Sequence, residues 1–285
     1  MKFRAKMYDP PIIKEFYNIL SSIPKGAGSS KVSTMRLTQD EFYFIYVDSG
    51  CPASTMWCNM KAEYYFTDYV LEGVTEDENE IYLEIPHSLM CQSLSNVMKT
   101  SVNSVKSVKV KLTRKFEHAY LSFVIDMAGN RQCIQDIPVA PIPRRDWSDF
   151  SEPFYDMDNE EIVRLNVRDV KKLKHYFDRY KNIGKFARLT AHQSGLLEMQ
   201  LETAQAKLIT RFKDLTALGN MSALKDPNGF VKVCIDLTKL SRFLAADHTG
   251  IQRCVVSFIN EKMLHLCLVK DELCLQHYFP AYKDE

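Results

Sequence analysis

One order of elements occurs twice along this chain, and that repetition limits its fold more than any single motif does. In residues 80–137 a strand (Ile81, Leu83 and Ile85 alternating) leads through 86–88 into a helix burying Met90, Leu94, Val97 and Met98. Three strands follow, at about 105–113, 120–126 and 131–137. Residues 230–280 repeat the order: a strand at 230–235, Asp236 as N-cap, a stripe of Leu237, Leu240, Phe243 and Leu244, then strands at 251–259, 262–269 and 273–279. Each block has a similar lead-in. Residues 2–8 alternate as a strand, Asp9 and Pro10 open a helix carrying Ile12, Phe16, Ile19, Leu20 and Ile23, and strands are expected at 31–37, 41–47, 56–60 and 64–71. In the second half a strand at 161–167, a helix at 168–184 and strands at 186–192, 196–202 and 205–214 take the same places. Strand, helix, strands, helix, three strands thus appears twice, the mark of an internal duplication.

Between the halves the texture changes. Residues 137–154, IPVAPIPRRDWSDFSEPF, hold four of the 11 prolines and show no periodicity. Proline lacks a ladder donor and stiffens extended chain, so this stretch reads as a linker. The expected division is 1–136, a linker at 137–154, and 155–285, which suits the length prior of about two domains.

The most distinctive helix is 168–184, RDVKKLKHYFDRYKNIG. Val170, Leu173, Phe177, Tyr180 and Ile183 form one apolar stripe. Arg168, Lys171, Lys172, His175 and Arg179 lie opposite, with Lys174 and Lys181 on the flanks. Asp169 in the first turn suits the helix dipole, Asp178 is the only other acid, and Gly184 reads as the residue closing the helix. Solvated faces usually mix signs, because like charges at i,i+4 repel. A face of one sign points to a polyanion such as a phosphate backbone. The formal net charge is only +1, with 17 Lys and Arg against 18 Asp and Glu before residue 150 and 20 against 18 after it, so a nucleic-acid surface must be local.

Several chemistries find no support. Residues 25–31, KGAGSSK, lack the spacing of a phosphate-binding loop and follow a helix rather than a strand. The seven histidines are scattered, with His265 and His277 expected to fill strand positions. The eight cysteines form no CxxC pair and sit mostly in apolar runs, as small core hydrophobes of a reduced protein. The acidic run 76–80 reads as an exposed turn. No metal, cofactor or catalytic constellation is expected. The N-terminus is charged from its second residue, unlike a signal peptide, and no apolar run approaches bilayer length.

Short blocks spread over the whole chain resemble the Hus-type subunit of the nine-one-one checkpoint clamp. They are the opening MKFRAK, Met56-Trp57-Cys58, Glu72-Gly73-Val74, residues 79–84 (NEIYLE), Asp136-Ile137-Pro138, Ile142-Pro143-Arg144, Trp147, residues 212–215 (FKDL), Leu275-Gln276 and Phe279-Pro280-Ala281. The resemblance implies an α+β sliding-clamp fold, akin to proliferating cell nuclear antigen. Such a fold has two pseudo-repeated domains, each with two helices packed on antiparallel sheet, joined by an interdomain connecting loop.

It further implies a non-catalytic subunit of a heterotrimeric ring with Rad-nine-type and Rad-one-type paralogues. A damage-specific clamp loader places such a ring on double-stranded DNA without regard to sequence, where it supports checkpoint signalling and stimulates repair enzymes. The expected location is the nucleus, with a cytoplasmic pool alongside. The DNA-facing residues would be Lys171, Lys172, Lys174 and Arg179, with Lys239 and Arg242 on the second helix of that half and Lys14 and Lys99 in the first. The subunit joints would use edge strands carrying Arg131, Cys133 and Gln135 in one domain and Lys207, Ile209 and Arg211 in the other. Val139, Ile142 and Trp147 would line a groove for partner peptides. Two other readings stand beside this one: a homotrimeric replicative-type clamp, and an enzyme of nucleotide or nucleic-acid metabolism.

Overall fold

The computed structural model describes residues 1–26, 32–47, 54–75, 78–101, 105–156, 160–219, 229–244 and 251–283, without the side chains of 22–26 and 96–101. Residues 27–31, part of the acidic run 76–80, Cys51 and the side chains of Lys25 and Lys99 therefore lie outside what is described. The chain divides into two compact units. One is built mainly from residues up to Ser151, the other mainly from Glu152 onward.

The first unit runs β1 (Lys2–Met7), α1 (Pro10–Gly26), β2 (Val32–Leu37), β3 (Glu41–Val47), β4 (Thr55–Lys61), α2 (Ala62–Tyr65) and β5 (Val70–Glu72). Then come β6 (Ile81–Pro86), α3 (His87–Ser101), β7 (Val105–Lys115), β8 (His118–Met127) and β9 (Arg131–Pro141). The leading strand of each repeat pairs with the other repeat. β1 lies antiparallel to β7, with Ala5 opposite Val110, and β6 lies against β2, with Leu83 opposite Met35. Alternation along β1 buries Phe3, Ala5 and Met7 and leaves Lys2 and Arg4 exposed. At α1 the Asp9 carbonyl accepts the Ile13 N–H at 2.9 Å, so Asp9 occupies the cap position ahead of Pro10.

Residues 64–71, expected as a strand, are a helical turn followed by a loop and the short β5. The reason is packing. Tyr65 and Phe66 join Phe16 and Phe42 in an aromatic cluster, with Phe42 and Phe66 centroids 5.2 Å apart, and a straight strand could not turn both rings inward. The expected linker is also partly structured. Its first residues continue β9 to Pro141, with Ile137 opposite Leu121 and Pro138 opposite Tyr120, and residues Arg144–Phe150 form a 3-10 turn. Pro138 fits there because a stretch paired on one side only leaves one row of N–H groups unused.

The second unit repeats the scheme: β10 (Ile162–Asn166), α4 (Val170–Tyr180), β11 (Phe186–His192), β12 (Leu196–Glu202), β13 (Lys207–Phe212) and β14 (Thr216–Ala217). β15 (Phe230–Asp236), α5 (Leu237–Phe243), β16 (Arg253–Ile259), β17 (Met263–Lys270) and β18 (Leu273–Pro280) complete it. Leading strands again cross over, β10 to β16 and β15 to β11. Thus four three-stranded meanders each receive the leading strand of a sister repeat. No repeat completes its sheet alone, which is why the order of elements recurs in pairs.

Candidate nucleic-acid interface and strand edges

Helix α4 is fixed at both ends by its sequence. The Asp169 carboxylate accepts the Lys172 N–H at 2.9 Å as N-cap. The helix stops at Tyr180, three residues short of Ile183, which therefore leaves the apolar stripe and is exposed. Gly184 donates its N–H to the Tyr180 carbonyl at 3.0 Å, and a Cβ there would lie 2.9 Å from the Leu201 side chain, so it also allows close approach to β12.

Around this helix the residues sort into four sides. Val170, Leu173, Phe177 and Tyr180 are buried. Lys171, Lys172, His175 and Arg179 point away from them and are exposed. On one flank Tyr176 meets the Phe212 ring edge-on at 5.2 Å, and the Tyr180 hydroxyl lies 2.7 Å from Thr210 Oγ1, both on β13. On the other flank Asp178 binds Lys174 at 2.5 Å, Lys181 at 2.9 Å and the Ser241 hydroxyl of α5 at 2.5 Å. Burial pushes the Asp178 carboxyl up, but hydrogen bonds from Lys174, Ser241 and Lys181 outweigh that and hold it well below the usual carboxylate range.

Lys174, expected among the DNA-facing residues, is thus spent on Asp178, and so is Lys181. No ion pair is formed to Lys171, Lys172 or Arg179 among the described residues. On α5, capped by Asp236 at 2.8 Å from the Thr238 N–H, Leu237, Leu240 and Phe243 are buried, Arg242 is exposed and Lys239 half-buried. Because the two helices bury their stripes in one unit and touch along a flank, their outward cations share one surface. In the first unit Lys14 on α1 is exposed, beside exposed Asn18; on α3 the exposed Ser88, Leu89 and Gln92 are uncharged. Among the described side chains, the positive helix face is in the second unit.

Two strands present open edges. β13 pairs only with β12, and between Arg131 and Val139 β9 pairs only with β8, among the described residues. Lys207, Ile209 and Arg211 lie exposed on β13, with Arg211 Nε 2.7 Å from Glu198. On β9 Arg131 is exposed, while Cys133 and Gln135 are half-buried on the side where Ile137 and Val139 enter the core. Sequence reasoning missed Ile134, the outward residue of β9, which is 59% exposed. Strand alternation carried that signal, since an isoleucine fell on the face opposite Ile137. An open edge with an exposed isoleucine is a template for another strand.

The three groove residues are largely taken up by the first unit's own packing. Val139 is buried. Trp147 stacks on Tyr82 at 4.5 Å and donates its indole N–H to the Ile142 carbonyl at 3.0 Å, while the Ile142 N–H binds the Tyr82 carbonyl. Tyr82 supplies both a ring face and a carbonyl, which pins the segment against β6.

A cavity of about 500 Å³ on the second unit collects groups with moved pKa values. Tyr155 donates to His265 Nδ1, His265 Nε2 donates to the Gln276 carbonyl oxygen, and the Gln276 amide and Tyr278 hydroxyl donate to Glu152. Both imidazole nitrogens are therefore occupied. Burial pushes His265 down to about 4, so it is neutral at pH 7. This relay ties down the segment 152–155 and places no base against a nucleophile. No group of three or more His, Cys, Asp and Glu side chains suited to a metal occurs among the described residues, and no helix is long and apolar enough to cross a membrane.

Two units of crossed strand–helix–meander repeats define the sliding-clamp class of fold. The solved structure of proliferating cellular nuclear antigen from Entamoeba histolytica covers 99% of this chain and 99% of its own, with a TM-score of 0.70 at 10% identity. The homologous antigen from Thermococcus kodakaraensis covers 98% and 100%, with a TM-score of 0.68 at 13% identity. Within that class the sequence is more specific. A family model described as Hus1-like protein matches residues 1–283. Human "Checkpoint protein HUS1" is 33% identical over 290 residues, 99% of each chain, and the Drosophila melanogaster "Checkpoint protein Hus1-like" is 26% identical over 289 residues. The chain belongs to the Hus1-like family.

Proposed function

We propose that this chain is a checkpoint clamp subunit: one of three in a heterotrimeric ring that encircles double-stranded DNA at damage sites, supports checkpoint signalling and recruits repair enzymes. The observation that carries this reading is the one-sign outward face of α4 and α5, set on a clamp-type unit of a Hus1-like chain. Lys171, Lys172, Arg179 and Arg242, with Lys239 beside them, meet phosphates from inside the ring. Their contacts carry no base information, so the ring slides, and closure rather than affinity retains it. Lys174 contributes little directly, because Asp178 holds it; Lys14 adds a weaker contact from the first unit.

The β9 edge of one subunit pairs with the β13 edge of the next, a head-to-tail joint that closes because three similar subunits complete a rotation. The partners are Rad-nine-type and Rad-one-type paralogues, and a damage-specific loader opens the ring in the nucleus. The chain works as a scaffold and not as an enzyme.

The deciding experiment is the mass in solution of this chain, alone and co-expressed with the two paralogues. A monomer that enters a one-to-one-to-one complex is the expected result. A stable trimer of this chain alone would replace the reading with a replicative-type homotrimeric clamp. A monomer indifferent to both paralogues would overturn it.

A further inference from the structure

The Sγ atoms of Cys267 on β17 and Cys274 on β18 stand 3.4 Å apart, unbridged. The two strands are consecutive and joined by a tight turn at Asp271, whose φ is 46°. In register, Cys267 faces Gln276 and Val269 faces Cys274, so the thiols meet across one diagonal of the ladder. Cys267 lines the 500 Å³ cavity beneath residues 152–155, where a small solute can reach it. Its thiol is also eased toward ionisation. The hydrogen bond with Cys274 lowers its pKa, helped by Arg253 and Arg164, against the effect of burial. Elsewhere burial works alone or nearly so: it pushes Cys254 up to about 12 and Cys91 to about 11, and it raises Cys58 as well.

We propose that Cys267 and Cys274 form a reversible dithiol–disulfide switch in the β17–β18 hairpin, oxidised by a hydroperoxide. The Cys267 thiolate attacks one peroxide oxygen and the O–O bond breaks. The leaving hydroxide takes up a proton as water, and Cys267 becomes a sulfenic acid. Cys274 sulfur then attacks Cys267 sulfur, the S–O bond breaks, and the departing hydroxide leaves as water with the Cys274 proton. Two thiols and one hydrogen peroxide give one disulfide and two waters; a dithiol reductant reverses the bridge.

The position gives the bridge a consequence. Cysteines on a diagonal are farther apart at the backbone than a directly opposed pair, so closing the bridge slides β18 against β17. His265 stands on β17, and Gln276 and Tyr278 on β18; together they hold Glu152 and Tyr155. Sliding pulls that relay apart and loosens the segment through which the chain enters the second unit.

The test uses the full chain, reduced, freed of reductant and treated with hydrogen peroxide, then alkylated and read by peptide mass spectrometry. The 267–274 bridge should form about tenfold faster than any modification of Cys254 and disappear with dithiothreitol. Hydrogen exchange at 152–155 should rise with bridging. Cys274→Ser should stop the chemistry at a Cys267 sulfenic acid captured by dimedone, and Cys267→Ser should show neither bridge nor dimedone label. The proposal is overturned if Cys267 and Cys274 remain alkylatable after Cys254 has reacted. It is overturned equally if Cys267 bridges to another cysteine, or if the bridge forms and leaves exchange at 152–155 unchanged.

Discussion

Asp178 decides more about the basic helix than any lysine does. It withdraws Lys174 and Lys181 from the positive face and ties α4 to Ser241 of α5. Asp178→Asn removes that charge without changing the volume. It should lower stability by about 1–2 kcal/mol in urea denaturation and, by releasing two lysines, tighten ring retention on DNA at low salt. An unchanged midpoint would mean that the three partners are held by something else. The exposed cations should behave oppositely. Lys171→Glu with Lys172→Glu should leave stability within about 0.5 kcal/mol. The double variant should also weaken DNA association of the assembled ring and flatten its salt dependence by roughly one log unit per lost phosphate contact. If association and salt slope both stay put, this face does not meet DNA.

At the scale of elements the two open strands matter most. Ile209 is 44% exposed on β13 and Ile134 is 59% exposed on β9, so both edges carry apolar surface with no strand against it in their own unit. Ile209→Lys keeps a side chain that an edge tolerates and opposes pairing. Its expected effect is loss of co-purification with one paralogue while the melting midpoint of the isolated chain is unchanged. Retention of both paralogues at full stoichiometry would remove β13 from the joint. The edges were legible in outline from the order of strands. The outward side chains follow from alternation with Ile137, and an expectation shifted by one residue on β9 exchanges Ile134 for Cys133 and Gln135. The segment after β9 teaches a related lesson. Its prolines read as linker, yet Pro138 lies opposite Tyr120 on β8 and Pro141 opposite Leu83 on β6, and Trp147 is spent on Tyr82.

At the scale of the whole molecule, the buried His87 and His265 contribute to the response to mild acid. Burial pushes His87 and His265 down to about 4. His87 accepts from the Tyr46 hydroxyl and donates to the Leu20 carbonyl, so its neutral form is fully used. The unfolded chain takes up these protons near pH 6.5 and the folded chain resists until about 4, so stability is complete above about 6.5 and is lost as pH falls between the two. Denaturation at pH 7 and pH 5 should differ by a few kcal/mol, with His87→Gln and His265→Gln each reducing the difference. Asp178 acts in a separate, lower window: its folded pKa is depressed, so its contribution is present above about 4 and is lost below. A flat profile from pH 7 to 5 would show that neither imidazole is kept neutral by the fold.

The sequence by itself determined the duplicated order of elements, the caps Asp9 and Asp236, the apolar stripes and the one-sign face of α4. These depend on spacing along the chain, and periods of 2 and 3.6 are read without knowing what lies opposite. Its short blocks also carried the family. Tertiary structure alone decided that leading strands cross to sister repeats and that residues 62–65 coil into a helical turn around an aromatic cluster. It alone brought Cys267 against Cys274 and closed the relay from Tyr155 to Glu152. Those outcomes depend on which residues from distant parts of the chain share a few ångströms of space, and register and packing fix that only once the sheets have formed.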